Sequence, residues 1–189
     1  MSLLETRGDS NAIRLIDVDP TVELFAEQPC VIRYRLQGTI RRHYPDLRVK
    51  RVQVDSLFEI KPQEDANLGE VSQRTELMMR DLPRFGFSYK LLVSEELASE
   101  PRLRNAQFLL RHGREELSLL EQEEVRRFLK GRTVLTWSEI REGRAGPLSE
   151  RKACRLVLDG ILSVDLTQAW TLPEAAVHVG PPASKGVIR

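Results

Sequence analysis

His43-Tyr44-Pro45-Asp46-Leu47 is followed, thirteen positions after its aspartate, by Glu59 in Phe58-Glu59-Ile60-Lys61-Pro62. Side chains on a strand alternate faces with period two, so Glu59 and Lys61 share one face while Phe58 and Ile60 point into a core. An acid, then an acid-x-lysine, on consecutive strands is the arrangement a metal-dependent phosphodiester hydrolase needs. Two carboxylates can hold a Mg²⁺ ion because hard divalent cations prefer oxygen ligands. The ammonium can orient a water or steady charge on a phosphate. The same triplet also fits an ordinary amphipathic strand with a surface ion pair, so the surrounding sequence has to decide.

At 189 residues the chain has room for one medium domain or two small ones. Charged residues make up 30% and nearly cancel to +1, a balance that neither advertises nucleic-acid binding nor excludes it, since local patches matter more than the sum. The basic groups do cluster. Arg33, Arg35, Arg41, Arg42, His43, Arg48, Lys50 and Arg51 crowd the segment carrying Asp46, and Arg141, Arg144, Arg151, Lys152 and Arg155 form a second group. Cys30 and Cys154 lie far apart in apolar stretches without CxxC spacing, which predicts buried free thiols in a reducing compartment. His43, His112 and His178 are scattered, so no zinc constellation exists. The first residues lack the apolar core of a signal peptide and no run approaches membrane-spanning length, so the expected location is the cytoplasm.

Periodicity divides the chain further. Ala12, Ile13, Leu15 and Ile16 predict a helix over 9–19, capped by Asp9 or Ser10, with Pro20 beyond its end. Glu27-Gln28-Pro29 reads as a break. Strands are expected at 30–36, 39–43, 47–54 and 57–61, with a turn at Gly38. A helix over 70–82, a strand over 87–94 and a helix over 101–112 complete an α/β order with a mixed central sheet flanked by helices. After Gly113 come helices at 117–129, 136–141 and from Ser149 to Asp159, then a hairpin of 161–166 with 170–172. Three helices and a hairpin is winged-helix order, used for nucleic acid about as often as for protein contacts. The expected domains are therefore 1–113 and 114–175, with 176–189 a disordered tail.

With the first segment in view, the chain resembles a specific family. Residues 15–29, Leu-Ile-Asp-Val-Asp-Pro-Thr-Val-Glu-Leu-Phe-Ala-Glu-Gln-Pro, are similar to the "LLefDPxVxxfxEQP" stretch of the TnsA transposition endonucleases. His43-Tyr44-Pro45-Asp46-Leu47 stands where that family has a "TPD" element, and Phe58-Glu59-Ile60-Lys61-Pro62 where it has an "xExKP" or "xQxK" strand. Leu91-Leu92-Val93-Ser94-Glu95-Glu96 and Leu103-Arg104-Asn105-Ala106 resemble its "lvTee…lxN" region. The similarity runs through most of residues 5–172.

The resemblance implies a PD-(D/E)xK, restriction-endonuclease-like fold and a Mg²⁺-dependent DNA endonuclease, with Mn²⁺ able to substitute. Such proteins cut the 5′ ends of a mobile element while a TnsB-like DDE transposase cuts the 3′ ends. A TnsC-like AAA+ ATPase is usually contacted through the C-terminal part. The resemblance makes Asp46 the central metal ligand, Glu59 the second acidic ligand, Lys61 the catalytic lysine and Ile60 the donor of a backbone carbonyl. The family's upstream glutamate falls on Asp9, with Glu5 as the alternative from a shifted register. Gly8 loosens that turn, and Tyr44 and Leu47 depart mildly from the family's threonine and phenylalanine.

Arg33, Arg35, Arg41 and Arg42 would then lie near the metal edge, either in contact with DNA phosphates or as a solvated sheet face. Arg151 and Lys152, on the third C-terminal helix, are candidates for DNA or protein contact. Gln28 reads as holding the helix-to-strand joint ahead of approaching the site, His43 as a surface histidine ahead of a metal ligand or base, and Trp137 and Trp170 as packing. Two other functions remain open: a phage or repair nuclease of the same fold, and a catalytically inactive scaffold recruiting an AAA+ or transposase partner.

Overall fold

In the computed structural model, residues 3–181 are described, with side chains described from Gly8 onward. Two compact units emerge: Met1–Ile16 with Val22–Ala98, and Asp17–Thr21 with Ser99–Arg189. The expected boundary after Gly113 moves to 98/99, because the helix at 102–112 packs on the helix at 150–158 and belongs with it.

The first unit contains α1 (Leu3–Asp17), β1 (Val22–Glu27), β2 (Ile32–Leu36), β3 (Thr39–His43), β4 (Leu47–Arg51), β5 (Asp55–Lys61), α2 (Gln63–Ala66), α3 (Gly69–Asp81), β6 (Phe87–Val93) and α4 (Ser94–Leu97). Its mixed sheet runs β1-β4-β5-β6, with β5 antiparallel to β4 and parallel to β6. A parallel neighbour requires a crossover, which α3 supplies, and it leaves β5 covered on both faces. Residues 56–60 of β5 are accordingly all buried. One face carries Leu57 and Tyr89, on which Met78 and Leu82 pack. The other carries Phe58 and Ile60, and α1 approaches it closely. A Cβ at Gly8 would lie 2.9 Å from Ile60 Cγ2 and 2.9 Å from Ser94 Oγ, so only glycine permits this approach.

β1 is a strand the sequence pattern does not announce, since Val22–Glu27 shows no alternation. It is an edge strand pairing with β4 alone, so Leu24 and Phe25 can stay exposed. Asp9 does not cap the first helix, which begins earlier and carries Asp9 in its body.

β2 and β3 form a separate ribbon in register Ile32↔His43, Arg33↔Arg42, Tyr34↔Arg41, Arg35↔Ile40 and Leu36↔Thr39. Gln37 (φ 50°) and Gly38 (φ 80°) both have positive φ, the two-residue turn whose twist suits a hairpin. Ile32 and Tyr34 pack on the Leu57–Tyr89 cluster.

The second unit contains α5 (Arg102–His112), α6 (Leu119–Leu129), β7 (Val134–Thr136), α7 (Trp137–Arg141), α8 (Glu150–Leu158), β8 (Leu162–Val164) and β9 (Ala176–Val179). Ser149 caps α8, its side chain accepting from the Lys152 N–H. The small sheet runs β7-β9-β8. Two expectations are corrected here. Residues 170–172 form a turn, and the second hairpin strand is β9, which takes 176–179 out of the expected tail. Trp170 turns inward instead, its ring centroid 4.5 Å from that of Trp137. The apolar bulk buried by that pair outweighs the strand pattern of Trp170-Thr171-Leu172. The remainder of the expected tail, 182–189, lies outside the described residues. Cys154 is a buried free thiol whose pKa burial pushes up to about 12, whereas Cys30 is free and exposed, not buried as expected. Among the described residues no helix is long and apolar enough to cross a membrane.

Candidate active site

Asp46 precedes β4 and is fixed from both neighbouring strands. Its backbone N–H donates to Phe58 O (2.9 Å) on β5, and its carbonyl accepts from the Gln28 N–H (2.9 Å) beyond the end of β1. Its carboxylate Oδ2 accepts from the Ile60 N–H at 2.7 Å. That bond is possible because β4 has no residue left to pair with Ile60. Asp46, Asp9, Ile60 and Lys61 line one pocket of about 150 Å³ together with Glu27, Gln28 and Leu47. Three residues far apart in sequence, Asp9, Asp46 and Lys61, thus converge on one space.

Gly8 explains how Asp9 arrives there. Far from loosening the turn, it lets α1 touch β5 and Ser94, which brings the next residue to the pocket. Glu5, the alternative acid, has its side chain outside the described residues.

Burial raises the Asp46 pKa to about 6, with the Ile60 N–H opposing, Glu59 and Asp9 adding repulsion, and Lys61 offsetting part of it.

Glu59 is placed differently from the expectation. It is 4% exposed and does not line the pocket. Its Oε1 accepts from Arg74 Nη2 at 2.6 Å and lies 3.7 Å from Lys61 Nζ. Its Oε2 accepts from the Tyr89 hydroxyl at 2.7 Å and lies 3.3 Å from His43 Nε2. Tyr89 O also meets His43 Nε2 at 2.9 Å. A phenol has a single proton to donate, which here goes to Glu59, so the network assigns the His43 Nε2 proton toward Tyr89 O. His43 is thus a buried member of this network and not a surface histidine; burial lowers its pKa, against the raising effect of Glu59. Burial followed by the Glu59 charge pushes the Tyr89 pKa well above its ordinary value. Among the described residues no three His, Cys, Asp or Glu side chains stand close enough together to form a ready cage for a metal.

The basic candidates separate. Arg33, Arg35 and Arg42 are exposed on the outer face of the β2–β3 ribbon. Arg41 lies on the inner face and pairs with Glu70 of α3. Arg151 is bound to Glu121 (2.6 Å) and Glu115 (3.6 Å), and Lys152 to Glu121 (3.6 Å) and Glu124 (3.9 Å). These two are staples between α8 and the segment around α6.

Sequence reasoning missed Arg74 and Tyr89. No local motif marks either; only the spatial approach of α3 and β6 to Glu59 reveals them. No family model matches the chain, and no curated protein matches it.

Proposed function

We propose that this chain is a metal-dependent DNA endonuclease of the TnsA type, cutting the 5′ ends of a mobile element beside a DDE transposase and an AAA+ regulator. The observation that carries this reading is the convergence of Asp9, Asp46 and Lys61 on one pocket at the end of β4 and β5. A mixed sheet with the acid and the lysine on adjacent strands is what a restriction-endonuclease-like fold requires. From α6 onward, the second unit supports the winged-helix reading through its order of helix, strand, two helices and two strands. Its α8 cations are paired internally, which suits a protein-contact module better than a groove reader.

The residues present fit a divalent cation. Asp46 and Asp9 offer carboxylate oxygens, and Ile60 lines the same pocket with its backbone beside Asp46. The raised Asp46 pKa has the sign expected of a carboxylate that gains from an added positive charge. When bound, Mg²⁺ or Mn²⁺ would supply charge neutralisation on the phosphate and a lowered water pKa. Asp46 and Asp9 hold that position, and the Ile60 N–H keeps the Asp46 carboxylate from rotating away. Lys61, lining the pocket, offers its ammonium to the non-bridging oxygens or to the attacking water. Glu59 acts through Lys61, as the buried anion beside its ammonium, and is itself held by Arg74 and Tyr89.

One observation favours a competing reading. Both Glu59 oxygens are engaged by protein groups, as a catalytically inactive scaffold of the same fold would tolerate. The two readings separate on supercoiled DNA carrying element ends, incubated with Mg²⁺ or Mn²⁺ in the presence of the transposase and regulator. The endonuclease reading expects nicks that vanish in Asp46→Ala; an intact substrate under these conditions sinks it.

A further inference from the structure

Of the basic residues crowding the Asp46 segment, most are already satisfied. Arg41 pairs with Glu70, Arg48 with Asp55 at 2.6 Å and Lys50 with Glu23 at 3.8 Å. Arg33, Arg35 and Arg42 are the exception. They share the outer face of the β2–β3 ribbon, and no acidic side chain among the described residues contacts them. Arg33 and Arg42 are direct cross-strand partners. Like charges so placed destabilise a ribbon, and no acid among the described residues offsets that cost by contact. The ribbon is nonetheless held firmly. Its inner face packs Ile32 and Tyr34 on the core, and Gln37 donates to Gln73 of α3 at 2.9 Å. Both of its connections lead to the pocket, one from Gln28 and the other into Asp46. At no more than ~3.6 Å per residue, the Arg42 Cα stands within about 14 Å of the Asp46 Cα.

We propose that the outer face of this ribbon is a phosphate grip for duplex DNA, in which Arg33, Arg35 and Arg42 hold the backbone beside the pocket without reading bases. The identity of the polyanion rests on the endonuclease reading; the grip itself rests on the unbalanced arginine face. Arginine suits it because its planar fork meets phosphate oxygens in pairs.

The test is binding of a fluorescent 30-base-pair duplex in EDTA, where nothing is cut, across about 50 to 300 mM salt. Each phosphate contact contributes about −0.9 to the slope of log K against log salt. Changing Arg33, Arg35 and Arg42 together to Ala is expected to make that slope shallower by about 2 to 3 and to weaken binding at least ~10-fold at 0.1 M salt. The matching Lys triple keeps most of the slope. A control removing Arg126, Arg127 and Arg144, each paired with an acid, leaves it unchanged. Circular dichroism and melting establish that each variant is folded, and the Ala triple is expected to melt no lower than wild type. An unchanged slope in the Ala triple or an equal loss in the control would overturn the grip, and stronger binding to single-stranded RNA than to duplex DNA would overturn duplex DNA as its ligand. Failure of the endonuclease reading shows separately, as wild type that binds the duplex with the expected salt slope in EDTA yet leaves element-end DNA uncut in Mg²⁺.

Discussion

The two basic clusters of this chain look alike in sequence and differ in what surrounds them. Around the β2–β3 ribbon, Arg33 and Arg42 face each other with no acid in contact among the described residues. Around α8, Arg141 meets Glu150, Arg144 meets Glu142, Arg151 and Lys152 meet Glu121, and Arg155 meets Asp159. A formal charge of +1 conceals this contrast entirely. The α8 cations are structural staples, whereas Arg33, Arg35 and Arg42 on the ribbon's outer face meet no acid among the described residues. A third kind lies between them in sequence: Arg74, buried against Glu59, where an ion pair has been taken out of water.

Four outcomes would sharpen or break that contrast. The largest belongs to the buried pair. Arg74→Ala leaves Glu59 in the interior beside Lys61, Tyr89 and His43 without its guanidinium partner, and removing one partner of a buried pair costs about 3–5 kcal/mol. For a chain of this size thermal melting should fall by roughly 6 to 20 °C. A drop of a degree or two would mean the clasp is not what holds this face. Next comes Gly8→Ala, which must push α1 away from Ile60 and Ser94 at a cost of about 1–3 kcal/mol. Nicking should fall further than stability alone accounts for, since Asp9 moves with the helix; activity retained at a temperature well below melting would detach Asp9 from the site.

The third outcome concerns pH. The folded Asp46 pKa, about 6, lies above the ordinary 3.8, so the folded state holds its proton longer than the unfolded state. The stability this group contributes is full below the unfolded value and is lost as pH rises through the folded one. In EDTA, Asp46→Asn should therefore melt progressively higher than wild type as pH rises from about 4 to 7, by several degrees at the upper end. Parallel curves would show that the carboxylate carries no such burden. The smallest effect is Arg151→Ala, whose pair with Glu121 is half-exposed. Melting should shift by less than about a degree or two, and duplex binding not at all.

Much of this was legible in the sequence. Pro45-Asp46 and Glu59-Ile60-Lys61 announced two adjacent strands because turn residues and alternation flank them, and those strands exist at 47–51 and 55–61. Ser149 announced α8 through its capping chemistry. What stayed hidden depends on tertiary contact. β1 carries exposed apolar residues because an edge strand needs only one partner. Gly8 looked like a weak point in a helix and is a point of closest approach. Glu59 looked like a pocket ligand because strand parity places it beside Lys61, yet parity cannot reveal that Arg74 and Tyr89 arrive from α3 and β6 to take up both its oxygens. The boundary near residue 98 was invisible because nothing local says which neighbour α5 will pack on.

The pocket's capacity to hold a divalent cation is the claim on which the rest depends. Mn²⁺ titration by calorimetry near neutral pH, on wild type, Asp46→Asn and Asp9→Asn, tests it without partners, DNA or turnover. The expected result is saturable binding by wild type that weakens by about tenfold or more in Asp46→Asn and measurably in Asp9→Asn. Equal affinity in wild type and Asp46→Asn, or no saturable binding by wild type, would contradict it.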